Sequence, residues 1–196
     1  MNLIGNDCNA SFIYRDLLKT PYENPFIWTR MMDDTFIWLL ENYESINFRK
    51  YELTKTNCSL EDYANCFFYI KYDNKHEVKY GHYKFVKNAT KPVKIKMDVQ
   101  YNKIWEYIIE KYEKRLKRMK TEPIFIINDQ FYNKITIKKL ADIVNEKNYR
   151  AIFFTNENIK YNEKSLIFKV NPNKPWAPFV MEGHENEIRD FLLSNG

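Results

Sequence analysis

Short apolar runs and helical apolar stripes alternate along most of the chain. The run from Met1 to Ile4 ends in a Gly-Asn-Asp turn, which predicts a strand, and residues 9–18 repeat apolar side chains at helical spacing. The same patterns predict helices at Asp33–Asn42, Asn102–Met119, Ile137–Val144 and His184–Leu193, and strands at Cys66–Ile70, Glu77–Val86, Val93–Met97, Ile124–Ile127, Ala151–Phe154 and Leu166–Val170. The chain is therefore expected to be a mixed α/β protein.

The order of these elements predicts the topology. From Asn102 onward the chain reads helix, strand, helix, strand, strand, helix, which is typical of a mainly parallel sheet. Residues 66–70 and 77–86 flank Asp73 and Asn74, as in an antiparallel hairpin. No linker or change of composition divides the chain. We expect one Rossmann-like domain over residues 1–196, a three-layer sandwich with a mainly parallel sheet and an antiparallel hairpin section.

Charge and cysteine content narrow the class of partner. The 196 residues contain 31 Lys and Arg and 26 Asp and Glu, a net charge of +5, with basic side chains concentrated at 111–120. That segment would attract phosphates or an anionic membrane surface, although i,i+4 pairs also suit a solvated helix face. We expect at most peripheral membrane contact, and no nucleic-acid signature accompanies the basic segment. Three cysteines without a secretion signal or metal-binding spacing predict a cytoplasmic protein without a metal site.

Polar side chains follow the predicted strands where each one ends. If the strands are parallel, these side chains meet at the edge where α/β sheets bind ligands, and amide and carboxylate groups there could bind sugar hydroxyls. The candidates are Asn6, Asp7, Asn128, Asp129 and Asn156, and Trp28 and Trp176 are candidate flat faces for a sugar ring. The alternatives are that most of the polar residues form turns and that the tryptophans anchor loops onto the core.

Cys8 is the leading candidate for a catalytic residue. It lies where the first strand should give way to a helix, and unpaired N–H groups there would lower the pKa of its thiol. A thiolate could attack an acyl donor or a carbonyl, with Asn6 and backbone amides binding the oxyanion. The candidate bases are Asp7, Asp129, His82 and His184, although His82 also suits a structural position on a strand. The alternative is that Cys8 only packs in the core.

Several segments, in order, resemble an uncharacterised bacterial family of exopolysaccharide-biosynthesis proteins, some of whose members are labelled acetyltransferases. The resemblance rests on residues 4–8 (Ile-Gly-Asn-Asp-Cys), 14–17 (Tyr-Arg-Asp-Leu), 21–26 (Pro-Tyr-Glu-Asn-Pro-Phe) and the tryptophan-led basic helix of 105–119. The chain departs from the family at residues 9–11, where Asn-Ala-Ser replaces Trp-Gly-Gly. The His-Tyr that precedes the family's basic helix is Met-Asp-Val at 97–99 here, unless Gly-His-Tyr at 81–83 takes its place.

A weaker similarity, carried by residues 25–28 (Pro-Phe-Ile-Trp), connects the chain to a family of papain-like cysteine peptidases. Together the resemblances imply a bacterial polysaccharide-biosynthesis protein, an acyltransferase with Cys8 in its site. They imply no bound cofactor, with acyl-coenzyme A as a candidate donor and a saccharide or lipid-linked sugar precursor as the partner. Two alternatives stay open, a non-catalytic carbohydrate-binding or scaffold protein and a cysteine-dependent hydrolase.

Overall fold

Helices form where the apolar stripes predict them. A computed structural model describes residues 1–26, 29–31, 33–55, 66–83, 106, 109–119, 122–171, 173 and 179–194. Its helices span Asn9–Phe12 (α1), Asp33–Asn42 (α2), 109–116 (α3), Lys134–Glu146 (α4) and Glu185–Leu193 (α5). The first helix continues as a π-helix over Ile13–Leu18, and α4 is capped by Asn133, whose side chain accepts a hydrogen bond from the backbone N–H of Thr136 at 2.9 Å.

The described strands form two separate four-stranded sheets. They span Asn2–Gly5 (β1), Thr29–Arg30 (β2), Glu52–Lys55 (β3), Cys66–Lys71 (β4), Glu77–Tyr83 (β5), Pro123–Asn128 (β6), Arg150–Phe154 (β7) and Ser165–Phe168 (β8). One sheet has the order β1-β6-β7-β8 and is parallel throughout. The other has the order β2-β5-β4-β3 and is antiparallel.

Strand β6 is apolar on both faces because it is covered on both sides. Phe125 and Ile127 belong to one buried cluster, whereas Ile124 and Ile126 belong to another, as expected for side chains that alternate along a strand. The first cluster also contains side chains of α2, α4 and both strands of the β4–β5 hairpin, and the second contains side chains of α1 and α5. The first cluster therefore joins the two sheets through one core.

The fold confirms the mixed α/β class, the parallel sheet and the hairpin. The hairpin belongs to the separate antiparallel sheet, because β2 and β3 pair along its two edges. The predicted strand at Val93–Met97 and the first turn of the predicted helix from Asn102 lie outside the described residues. No described helix is long and apolar enough to cross a membrane.

Candidate functional site

The carboxyl ends of β1 and β6 are joined by a reciprocal pair of hydrogen bonds. The side-chain Nδ2 of Asn6 donates to the backbone oxygen of Asn128 at 2.8 Å, and the backbone N–H of Asn128 donates to Oδ1 of Asn6 at 2.9 Å. Both side chains are fully buried. The parallel register therefore brings the two predicted site segments together at one edge of the sheet, as expected, and Asn6 uses both of its polar groups to hold them there.

Asp7 is a buried carboxylate at the centre of this edge. Its Oδ1 accepts a hydrogen bond from the backbone N–H of Asn9 at 2.8 Å, and its Oδ2 accepts from the side-chain amides of Asn9 and Asn128 at 3.0 and 2.9 Å. These bonds favour the ionised form, but the burial of the group outweighs them and raises its pKa from 3.8 to about 6. Asp7 can therefore gain or lose a proton near neutral pH. We refer to Asn6, Asp7, Asn9 and Asn128 as the Asp7 cluster.

Cys8 directly precedes α1 and is half-buried. The pKa of its thiol is not lowered, although the sequence led us to expect this. Burial, and then the negative charge of Asp7, raise the pKa of the Cys8 thiol to about 12. The expected lowering is therefore wrong. The main physical reason is the burial of the thiol, and the Asn9 N–H at the start of the helix does not offset it because that N–H bonds the Asp7 carboxylate.

Gly5 sets the tight turn between β1 and α1. A Cβ atom at this position would lie 2.9 Å from the backbone oxygen of Asp7 and 3.1 Å from the Cβ of Ala10. Such contacts are too short for a side chain, so glycine is needed because the backbone approaches itself closely. The turn fixes Asp7 and Cys8 relative to the sheet.

Arg30 is a site residue that the sequence reasoning did not identify. It is exposed in β2, and its positive charge lowers the pKa of both Asp7 and Cys8. The backbone N–H of Met31, next in the chain, donates to the oxygen of Asn6 at 2.9 Å and ties this short strand to the edge. A two-residue strand in a loop-like segment has no hydrophobic period, so only the tertiary pairing could reveal it.

Asp129 and Asn156 continue the same edge past β6 and β7. The backbone N–H of Asn156 donates to Oδ2 of Asp129 at 3.1 Å. The amide of Asn156 also bridges the backbone of Val170, donating to its oxygen at 2.8 Å and accepting from its N–H at 3.2 Å. The strand ends therefore meet along one rim as predicted, and the side chain of Asn156 shapes the loop there, as the turn-forming alternative anticipates.

The other predicted site residues are less informative. Trp28 and Trp176 lie outside the described residues, and His82 is described only as a backbone position in β5. His76, which was not a candidate, stacks on Trp38 and bonds Asp73, whereas the ring of His184 lies against Phe168 and its buried Nδ1 has no hydrogen-bond partner among the described residues. In the described part of the chain, neither of these two histidines hydrogen-bonds Cys8.

Asn9 leaves one acceptor open beside Asp7. Its Oδ1 is buried and accepts no hydrogen bond from the described residues, although its amide group donates to Asp7. A buried amide oxygen without a partner is unusual in proteins and can accept a proton donor from a bound group. The edge therefore combines a carboxylate that titrates near pH 6, a thiol, a guanidinium and an open acceptor.

The described residues contain no group of three or more metal-ligating side chains that could hold a metal ion. No protein-family model matches the chain, and no curated protein sequence matches it significantly.

Proposed function

We propose that the protein is an acyltransferase of bacterial polysaccharide biosynthesis, in which Cys8 carries the acyl group and Asp7 moves the proton. The single observation that carries the proposal is the buried Asp7 carboxylate, with a pKa of about 6, directly before the half-buried Cys8 in a hydrogen-bonded turn. A general base is most effective when its pKa lies near the working pH. The resemblance of the opening segment to exopolysaccharide-biosynthesis proteins supports a saccharide as the acceptor.

The first half-reaction loads the thiol. As the Cys8 sulfur attacks the carbonyl carbon of an acyl thioester such as acyl-coenzyme A, Asp7 accepts the S–H proton. The bond between the carbonyl carbon and the donor sulfur then breaks, and the proton passes from Asp7 to the departing thiol. A thiol with a raised pKa needs such a base, because almost none of it is ionised near neutral pH.

The second half-reaction transfers the acyl group to the sugar. A hydroxyl of the saccharide or lipid-linked sugar precursor attacks the acyl–Cys8 carbonyl and gives its proton to Asp7. The thioester bond breaks, the proton returns to the Cys8 sulfur, and an ester of the sugar leaves. The positive charge of Arg30, which acts on both Asp7 and Cys8, supports binding of an anionic donor or stabilisation of the oxyanion.

The remaining expectations fit this function. A three-layer, Rossmann-like arrangement is supported by the two buried clusters on opposite faces of the parallel sheet. A cytoplasmic location is supported by the sparse, odd number of cysteines, because a reducing compartment keeps thiols free to react. With such a fold, the proposed site lies at the carboxyl edge of the parallel sheet. With such a location, a soluble acyl donor can reach it.

The test measures the acylation of Cys8 as a function of pH. The full-length protein is incubated with acetyl-coenzyme A, digested, and its cysteine peptides are quantified by mass spectrometry. We expect the acetylation rate of Cys8 to rise with pH, with a midpoint near pH 6 where Asp7 ionises, and then to level off. In Asp7→Asn the levelling-off should disappear and the rate near neutral pH should fall about 100-fold.

Cys8→Ala gives the background of this experiment, and Cys58 and Cys66 report non-selective acetylation within the same sample. If folded protein gains no acetyl group on Cys8 at any pH, the mechanism is wrong. If the pH profile of acetylation is unchanged in Asp7→Asn, Asp7 is not the general base.

A second candidate function is a non-catalytic carbohydrate-binding protein, which the raised pKa of the Cys8 thiol favours. In that case Cys8 packs beside a structural carboxylate and reacts slowly with chromogenic thiol reagents at neutral pH. The two functions separate in the acetylation experiment, since the base-assisted mechanism requires selective transfer to Cys8 and the binding protein requires none.

A further inference from the structure

A cavity lies at the end of α2, among residues that the sequence analysis did not single out. Its volume is about 260 Å³, and it is lined by the second half of α2, the turn that follows, and Tyr72 at the start of the β4–β5 turn. Pockets for small ligands have volumes of about 300–1,000 Å³, so this one suits a ligand of about one sugar ring. None of its lining residues belongs to the Asp7 cluster.

Two aromatic side chains form fixed walls of this cavity. The ring of Trp38 stacks on His76 at 4.7 Å between centroids and runs nearly parallel to Tyr72 at 6.4 Å. The Tyr72 hydroxyl is hydrogen-bonded to the hydroxyl of Tyr112 at 2.7 Å, and that hydroxyl donates to the backbone oxygen of Phe48 at 3.2 Å. Rings held in this way present rigid apolar surface to a ligand at little entropic cost.

Polar groups in the lining remain available to a ligand. Asn42 donates from Nδ2 to the backbone oxygen of Trp38 at 2.8 Å, and in the described part of the chain its Oδ1 accepts no hydrogen bond. Asn47 accepts from the backbone N–H of Arg49 at 3.1 Å, and its Nδ2 has no acceptor among the described residues. The lining thus offers an amide acceptor, an amide donor and apolar rings, which are the groups that a polyhydroxylated ring needs.

Lys50 gives the cavity its charge. Its side chain is exposed, it forms no ion pair with any described residue, and no carboxylate is among the lining residues. A cation without a neighbouring carboxylate attracts an anion to the cavity.

We infer that this cavity binds a single sugar residue that carries a carboxylate or a phosphate group. The sugar would contact the Trp38 and Tyr72 side chains that line the cavity, its hydroxyls would bond the amides of Asn42 and Asn47, and its anionic group would pair with Lys50. The inference goes beyond the proposed acyl transfer and does not require Cys8 to react.

A protein-observed ¹⁵N NMR titration of the full-length protein tests the inference, with glucuronate, glucose 1-phosphate, glucose and inorganic phosphate as separate probes. We expect glucuronate or glucose 1-phosphate to bind about fivefold more tightly than glucose, because only the anionic sugars pair with Lys50. The stronger of the two distinguishes a carboxylate from a phosphate. Lys50→Gln should remove this advantage, whereas the matched control Lys138→Gln, an exposed lysine of α4, should keep it.

Trp38→Phe should weaken binding of every sugar, because it shortens the aromatic wall, and circular dichroism checks that this variant folds. If it does not fold, Asn47→Ala removes an exposed amide donor and should weaken binding in the same way. The inference is overturned if no sugar binds, if inorganic phosphate binds as tightly as the sugars, or if Lys138→Gln acts like Lys50→Gln. Cys8→Ala should bind the sugars normally, so failure here is distinguishable from failure of the acyl-transfer mechanism.

Discussion

Asp7 combines a structural role with a raised pKa in one buried side chain. Its carboxylate accepts the N–H at the start of α1 and two side-chain amides, so it fastens the helix to the ends of β1 and β6. The same burial that makes these bonds strong also opposes the charge. The result is a group that holds the turn and still titrates near neutral pH.

Replacing Asp7 should change how stability depends on pH. The pKa of Asp7 is raised from 3.8 to about 6 on folding, so the folded state binds the proton more tightly. Its contribution to stability is therefore present at low pH and is lost as pH rises through about 6. In urea unfolding, the free energy of unfolding of the unmodified protein should fall by about 1 kcal/mol between about pH 5 and about pH 7 because of Asp7. The Asp7→Asn variant should not show this fall.

The matched control for this measurement is Asp142→Asn, an exposed carboxyl of α4. It should keep the pH dependence of the unmodified protein. If Asp7→Asn shows the same slope as the unmodified protein, the raised pKa of Asp7 is refuted.

At the residue scale the sequence located the site better than it described its chemistry. Asn6, Asp7 and Asn128 could be predicted to meet, because residues that follow parallel strands share one edge. The state of Cys8 could not, since its pKa is raised mainly by burial, which depends on tertiary packing that no spacing encodes. Arg30 was missed because its contribution comes through space from another sheet.

At the scale of elements, the junction between β1 and α1 depends on close backbone packing. The Gly5→Ala variant places a methyl group 2.9 Å from the backbone oxygen of Asp7, and the turn must move to make room. We expect a loss of about 1–3 kcal/mol in the free energy of unfolding, together with slower acetylation of Cys8. Chemical denaturation and the acetylation assay measure the two effects.

Gly183→Ala provides the comparison for this prediction. A Cβ atom at Gly183 would meet no other atom within 4 Å, but the residue has a φ of 86°. Alanine there would strain the backbone and would not clash with a neighbour. It should cost about 1 kcal/mol and leave the acetylation of Cys8 unchanged. Equal losses of acetylation in both glycine variants would mean that the turn at Gly5 has no special role.

The long helices could be predicted from sequence, whereas the irregular segments could not. The apolar stripe gave α2 at Asp33–Asn42 because its period is clear. The short strand β2 lacks any such signal, and the helical spacing over residues 9–18 does not distinguish the π-helix at Ile13–Leu18 from an α-helix. Within the π-helix, the Tyr14 hydroxyl accepts from the N–H of Leu3 at 3.0 Å and donates to the oxygen of Met1 at 2.6 Å, tertiary contacts that the spacing does not reveal.

For the whole molecule, the main question is whether two sheets behave as one unit. The larger buried cluster includes Ile4 and Phe125 of the parallel sheet and Ile70 and Val78 of the antiparallel sheet. Side chains that share a core lose their contacts together on unfolding. The sequence predicted a single domain, but it could not show that the hairpin forms its own sheet, because the pairing partners β2 and β3 are short.

We therefore expect a single cooperative unfolding transition. Far-ultraviolet circular dichroism and tryptophan fluorescence should give the same urea midpoint. Ile70→Ala should lower the free energy of unfolding by about 2–5 kcal/mol and lower both midpoints together. The exposed substitution Lys138→Ala should move neither. Two separate transitions, or a shift of one probe alone in Ile70→Ala, would show that the sheets unfold independently.

The pairing of β1 with β6 has a consequence for synthesis in the cell. Leu3 lies opposite Ile124 in the parallel register, so the first strand finds its neighbour only after more than a hundred further residues have been translated. Until then its backbone lacks its sheet neighbour, and long-range pairing of this kind is slow. The Asp7 cluster, which needs residues from both β1 and β6, therefore forms only after residue 128 has been synthesised.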